Sequence, residues 1–111
     1  MARCWGAKYP WAAQSRNALK VGLTQKEIDA INARSALPTD DKRELLAQRI
    51  ANELLADKGL SDASYASAEA LFSTEELVAL VARIGAFSMT CCTANAFDIT
   101  PPADAPDRLK T

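Results

Sequence analysis

Between Arg83 and Asp98 the sequence runs from Ile84 to Phe97 without one charged residue, and this stretch constrains the fold more than any other feature. Ser73 followed three residues later by Glu76 reads as a capping box, so a helix is predicted from Thr74 to about Phe97. Leu77, Leu80, Val81, Ile84, Ser88 and Cys91 fall along one face of it, and Val78, Gly85, Met89, Cys92 and Ala96 along the neighbouring one. The second half is apolar nearly all round, and a helix without a polar face is expected to be buried on every side. The other helices of so short a chain could hardly cover it, so a subunit interface is expected to do so. The uncharged run is about six residues short of a bilayer span, so no membrane segment is expected.

Alanine fills 22 of the 111 positions and glycine 4, and β-branched residues do not cluster, so the long segments prefer helix. The expected fold class is all-α, a bundle of about five helices. Thr24 with Glu27 forms a further capping box, opening a helix through Ile28 and Ile31 that Leu37-Pro38 should stop. Thr39 or Asp40 should open the next, with a stripe of Leu46, Ile50 and Leu54 and a C′ glycine at Gly59 after Lys58. Ser61 can cap a short helix from about Asp62 to Leu71. Pro10 interrupts a helical pattern from Arg3 to Val21; placing it at the first helical position avoids the clash, leaving residues 1–9 as a leading segment and Gly22 as the stop. Residues 1–99 are read as one helical domain and 100–111, rich in proline and charge, as an extended or disordered tail.

The chain contains no histidine, which excludes Ser-His-Asp and Cys-His nucleophile pairs, imidazole metal sites and a histidine general base. A formal charge of −1 leaves no basic stripe to neutralise phosphates, so no nucleic acid partner is expected. The cysteines, Cys4, Cys91 and Cys92, follow no disulfide or metal-ligand spacing, and neither a metal nor a cofactor is expected. The start of the sequence lacks an apolar core of signal-peptide length, and a reducing cytoplasm is the simplest location.

Trp5, Tyr9 and Trp11 bring three of the seven aromatic residues into a short span. They read either as a packing anchor for the N-terminus or as the wall of an apolar substrate pocket. In the second reading Gln14, one turn past Pro10, shares a face with Trp11. Cys91-Cys92 lies near a helix C-terminus, where the dipole opposes thiolate formation, and structural burial is the expected role. The acidic pairs Asp40-Asp41 and Glu75-Glu76 fall in first helical turns, where they complement the dipole.

The run Arg3-Cys4-Trp5-Gly6-Ala7-Lys8-Tyr9-Pro10-Trp11-Ala12-Ala13-Gln14, then Ala18 and Gly22-Leu23-Thr24, resembles the carboxymuconolactone decarboxylase family. Leu45 to Leu54, Leu60-Ser61-Asp62, Phe72 to Val78 and Asn95-Ala96-Phe97-Asp98-Ile99 also look like that family's pattern, so the similarity spans residues 2 to about 102. The resemblance implies an alkylhydroperoxidase D-like helical fold assembled as a homotrimer or homohexamer. It also implies a helix ahead of residue 1, making this sequence a shortened member or a fragment. The implied activity is that of a decarboxylase-like lyase on a small lactone or keto-acid carboxylate. Tyr9 and Gln14 would be the candidate catalytic residues, with Trp11, Gln14 and Arg16 binding substrate and Arg3 or Lys8 assisting with its carboxylate. The family's glutamate and histidine fall on Pro10 and Gln14, and neither can move a proton as the originals do. The peroxidase branch's two cysteines fall on Ala7 and Pro10, so no thiol relay is implied. The alternative is a non-catalytic homo-oligomeric member, binding a ligand or serving a structural role.

Overall fold

The computed structural model describes residues 1–103, which form six helices and no strand. They are α1 (Ala2–Trp5), α2 (Lys8–Lys20), α3 (Gln25–Asn32), α4 (Lys42–Asp57), α5 (Asp62–Leu71) and α6 (Thr74–Ala96). The all-α expectation holds, with α1 as a short helix inside the segment expected to lead into the bundle. Of the expected tail, Thr100–Pro102 has no regular structure, Ala103 lies in a turn, and the rest falls outside the described residues.

Polar caps set most helix starts. Thr24 and Glu27 exchange both bonds of the capping box, Glu27 N–H donating to Thr24 Oγ1 at 3.2 Å and Thr24 N–H to Glu27 Oε1 at 3.4 Å. Ser73 and Glu76 do the same at 3.1 and 3.0 Å. Ser61 accepts from Ser64 N–H at 3.2 Å. The cap of α4 is Asp41, not Thr39 or Asp40: its carboxylate accepts from Arg43 N–H at 2.8 Å and Glu44 N–H at 3.3 Å. Asp41 N–H in turn donates to Thr39 Oγ1, so Thr39 stabilises the turn leading to the cap.

Three other boundaries depart from the sequence reading. Pro10 is the third residue of α2, which starts at Lys8, two residues earlier than expected. The first four helical N–H groups have no partner within the helix, so proline is tolerated at its third position as well as its first. α3 ends at Asn32, well before Leu37-Pro38, where Arg34 turns to φ 55° and Ser35 N–H donates to Ala30 O at 2.9 Å. At the end of α4 it is Lys58, not Gly59, that takes the left-handed conformation, with φ 63°. Lys58 Nζ donates to Leu55 O at 2.6 Å, satisfying a helix-end carbonyl and offsetting a left-handed cost of about 1–2 kcal/mol. Gly22, with φ 104°, does stop α2.

The chain groups into two compact units. The first comprises Met1 and Thr39–Ala86, and the second Ala2–Pro38 with the chain from Phe87 onward. In the first unit, Leu46 and Ile50 of α4, Ala68 of α5 and Ile84 of α6 form the buried core, ringed by Leu54, Leu60, Leu71, Phe72, Leu77 and Leu80. Polar ties fix the same three helices. Glu53 accepts hydrogen bonds from Ser61 N–H at 2.8 Å and from the Ser64 hydroxyl, joining α4 to the start of α5. Arg43 donates to Glu76 while its guanidinium lies 4.9 Å from the centroid of Phe72, joining α4 to the start of α6. In the second unit Ala7, Trp11, Ala12, Ser15, Ile28, Cys91 and Ala94 are buried.

α6 does not meet the expectation of burial on all sides. Ile84, Cys91 and Ala94 are its buried residues, while Val78 is 63% and Met89 69% exposed, as is Phe97, just past its end, at 77%. The helices that pack on α6 cover one face of it, and the neighbouring apolar face of Val78, Gly85, Met89, Cys92 and Ala96 is exposed. The helix also extends back to Thr74, so its 23 residues, with a mean hydropathy of 1.7 over the most apolar window, are long and apolar enough to cross a membrane by length and composition. The uncharged run alone did not reach that length.

Ile50 is fully buried at the centre of the first unit, so Ile50→Ala is expected to destabilise the fold by about 2–5 kcal/mol in chemical denaturation. Leu45→Ala, at a 38% exposed position on the same helix, should cost less than half as much. Hydrogen bonds from the Ser64 hydroxyl and then Ser61 N–H hold the Glu53 carboxyl below its ordinary value of 4.5, and those from Ser73 N–H and then Arg43 lower Glu76 similarly. Depressed carboxyl values give stability that is complete above 4.5 and lost as pH falls through the folded-state values. Thermal melts should therefore decline more steeply with acid below that point in the wild type than in a Glu53→Gln, Glu76→Gln variant.

Candidate functional site

Two regions carry the groups capable of recognition. The first is the N-terminal aromatic cluster of the second unit. α2 turns Pro10, Trp11, Ala12 and Ser15 inward. Trp11 is 6% exposed, and among the described residues its indole Nε1–H is buried without a hydrogen-bond partner. Such a donor is left short by about 1–3 kcal/mol relative to a satisfied one, and an oxygen acceptor would relieve it. Trp5 and Tyr9 are exposed.

Gln14 and Arg16 are also exposed, so the structure separates them by environment from Trp11. A three-residue step leaves Gln14 to one side of Trp11, whereas the four-residue step places Ser15 beneath it. Arg3, an expected carboxylate ligand, donates from Nε to the Asn32 carbonyl at 2.7 Å and so closes the end of α3. Trp5 offers its carbonyl to Asn95 Nδ2 at 2.6 Å, which ties α1 to the end of α6. Both bonds give this end of the chain a structural explanation beside the functional one.

The cysteine pair divides. Cys91 is fully buried and Cys92 exposed, because adjacent helical residues point about 100° apart. Burial pushes the Cys91 thiol up, toward the protonated and unreactive form. Cys4 is exposed as well, so the expectation of burial fits Cys91 alone. Among the described residues no group of three or more cysteine, aspartate or glutamate side chains is placed to hold a metal ion.

The second region is apolar and lies in the first unit. An open groove of about 660 Å³ runs between α5 and the start of α6, walled by Tyr65, Phe72, Leu77, Val78 and Val81, with Glu69 at its edge. Tyr65 is 51% exposed, although it lies one helical step before the buried Ala68. The pairing of Tyr65 with Val78 and Val81 was invisible in the sequence because it depends on how α5 meets α6. Ala82, exposed, completes the α6 side of the groove.

No family model, curated protein or solved structure matches this chain.

The burial of Cys91 gives a direct check. In the native protein at about pH 8, iodoacetamide should leave Cys91 unmodified, and alkylation should become complete only in denaturant, as read by peptide mass spectrometry.

Proposed function

We propose that this chain is a non-catalytic, self-associating helical protein whose α6 is covered by further copies of itself. The observation that carries this reading is the exposed apolar face of α6, with Val78 and Met89 each more than 60% exposed. A contiguous apolar face of this length marks an interaction surface. Water, not a bilayer, is its proposed setting, in keeping with a cytoplasmic location. Arg83 lies near the middle of α6, and a charge at the centre of a spanning helix costs about 2.5–3.5 kcal/mol on insertion scales. The exposed face also belongs to a helix whose other side already packs in a protein core through Ile84, Leu77 and Leu80.

Light scattering at micromolar concentration is expected to show a stable oligomer. Met89→Lys, which places a charge in the middle of the face, should release folded monomers with unchanged helical circular dichroism. A wild-type monomer, or a chain that floats with lipid vesicles and is monomeric without them, would overturn the proposal.

A second reading, binding of a small lactone or keto-acid carboxylate at the N-terminal cluster in the manner of a decarboxylase-like lyase, is supported by the unpartnered indole N–H of Trp11. A carboxylate oxygen would supply its missing acceptor, with Tyr9, Gln14 and Arg16 as the exposed polar groups on the same helix. Titration with a lactone carboxylate, followed by tryptophan fluorescence, should show saturable binding that Trp11→Phe weakens at least tenfold. Equal affinities in the two proteins would dismiss this reading.

A further inference from the structure

The groove of the first unit has an apolar wall and a polar edge. Leu77, Val78 and Val81 of α6 form the wall, with Phe72 at the end of α5, and none of these side chains can hydrogen-bond. On α5 Tyr65 and Glu69 stand four residues apart, so the phenol and the carboxylate share one side of that helix where it lines the groove. Both residues are exposed, and among the described residues neither the Tyr65 hydroxyl nor the Glu69 carboxylate takes part in a hydrogen bond or an ion pair. The groove, at about 660 Å³, falls in the range of roughly 300–1,000 Å³ usual for small-molecule sites.

The charge around the groove supplies an independent observation. From Gly59 to Ala82 the chain carries Asp62, Glu69, Glu75 and Glu76 and no lysine or arginine. Arg43 of α4 reaches Phe72, with its guanidinium 4.9 Å from the ring centroid, but it is already paired with Glu76. Glu69 is thus a charge lining the groove without a counter-ion. A carboxylate ligand would be repelled there. A ligand with a cation at one end of an apolar body complements both sides, its ammonium beside Glu69 and the Tyr65 ring and its body along Leu77, Val78 and Val81.

We propose that this groove binds a small organic ammonium ion with an aromatic or aliphatic body, Glu69 and Tyr65 taking the cation and the α6 wall taking the body. The site goes beyond self-association and does not rest on it, because its groups lie wholly within the first unit and its polar edge belongs to α5.

Calorimetric titration of the full chain tests the site with tryptamine, tryptophol and indolepropionate, which end the same indole-bearing chain in a cation, a hydroxyl and an anion. Tryptamine should bind saturably and about tenfold more tightly than indolepropionate, with tryptophol between them. An exposed ion pair contributes modestly, so Glu69→Gln should weaken tryptamine about fivefold, and Glu69→Lys should reverse the preference in favour of indolepropionate. Tyr65→Ala should weaken tryptamine and tryptophol alike through the lost ring contact, whereas Glu75→Gln, outside the groove, should leave tryptamine within about twofold of the wild type. Each variant should keep the helical circular dichroism of the wild type, since both α5 positions are exposed. Absence of saturable tryptamine binding, equal affinities for tryptamine and indolepropionate, or a preference for tryptamine that survives Glu69→Lys would overturn the site while leaving self-association standing.

Discussion

Coverage of α6 is the constraint on which the structure turns. A 23-residue helix is about 34 Å long, and its side chains are apolar around most of the circumference beyond Arg83. α4 and α5 can lie along one side of its first half, where Ile84, Leu77 and Leu80 meet Leu46, Ile50 and Ala68. Helices pack at about 8–10 Å and each neighbour shields only part of a circumference, so two neighbours leave the far side open. The caps and polar ties of the first unit follow from the same requirement. Arg43 reaching Glu76 and Phe72, and Glu53 reaching Ser61 and Ser64, hold α5 and α6 against α4 so that a small core closes.

Signals local in the chain were readable. The boxes at Thr24/Glu27 and Ser73/Glu76, the cap at Ser61 and the Leu46-Ile50 stripe all work through side chains within four residues of one another, and the structure carries each of them. Where two local solutions were close in energy, the neighbouring one was taken. Asp41 caps α4 instead of Asp40, a left-handed Lys58 replaces Gly59, and Pro10 occupies the third helical position. The end of α3 was misread because Arg34 and Ser35 provide a stop with no glycine or proline to announce it.

The candidate sites were less legible, since they depend on contacts between helices. Helical spacing separated the face of Val78, Gly85, Met89, Cys92 and Ala96 from that of Leu77 and Ile84, but it could not say which of two apolar faces the chain itself would cover. The aromatic cluster likewise looked uniform in sequence. In the structure Trp11 is enclosed while Trp5 and Tyr9 face out, and nothing in their spacing encodes that division.

Gly85 lies at the middle of α6, where the backbone has no side chain above it to exclude water from its hydrogen bonds. Glycine also gives up the most conformational freedom on entering a helix, so the turn around it opens at a lower free energy than the turn held by the buried Cys91. Amide hydrogens near Gly85 on the uncovered side should thus exchange with solvent faster than those one turn away, although both lie deep within one continuous helix. A neighbouring helix seated there would act as a splint.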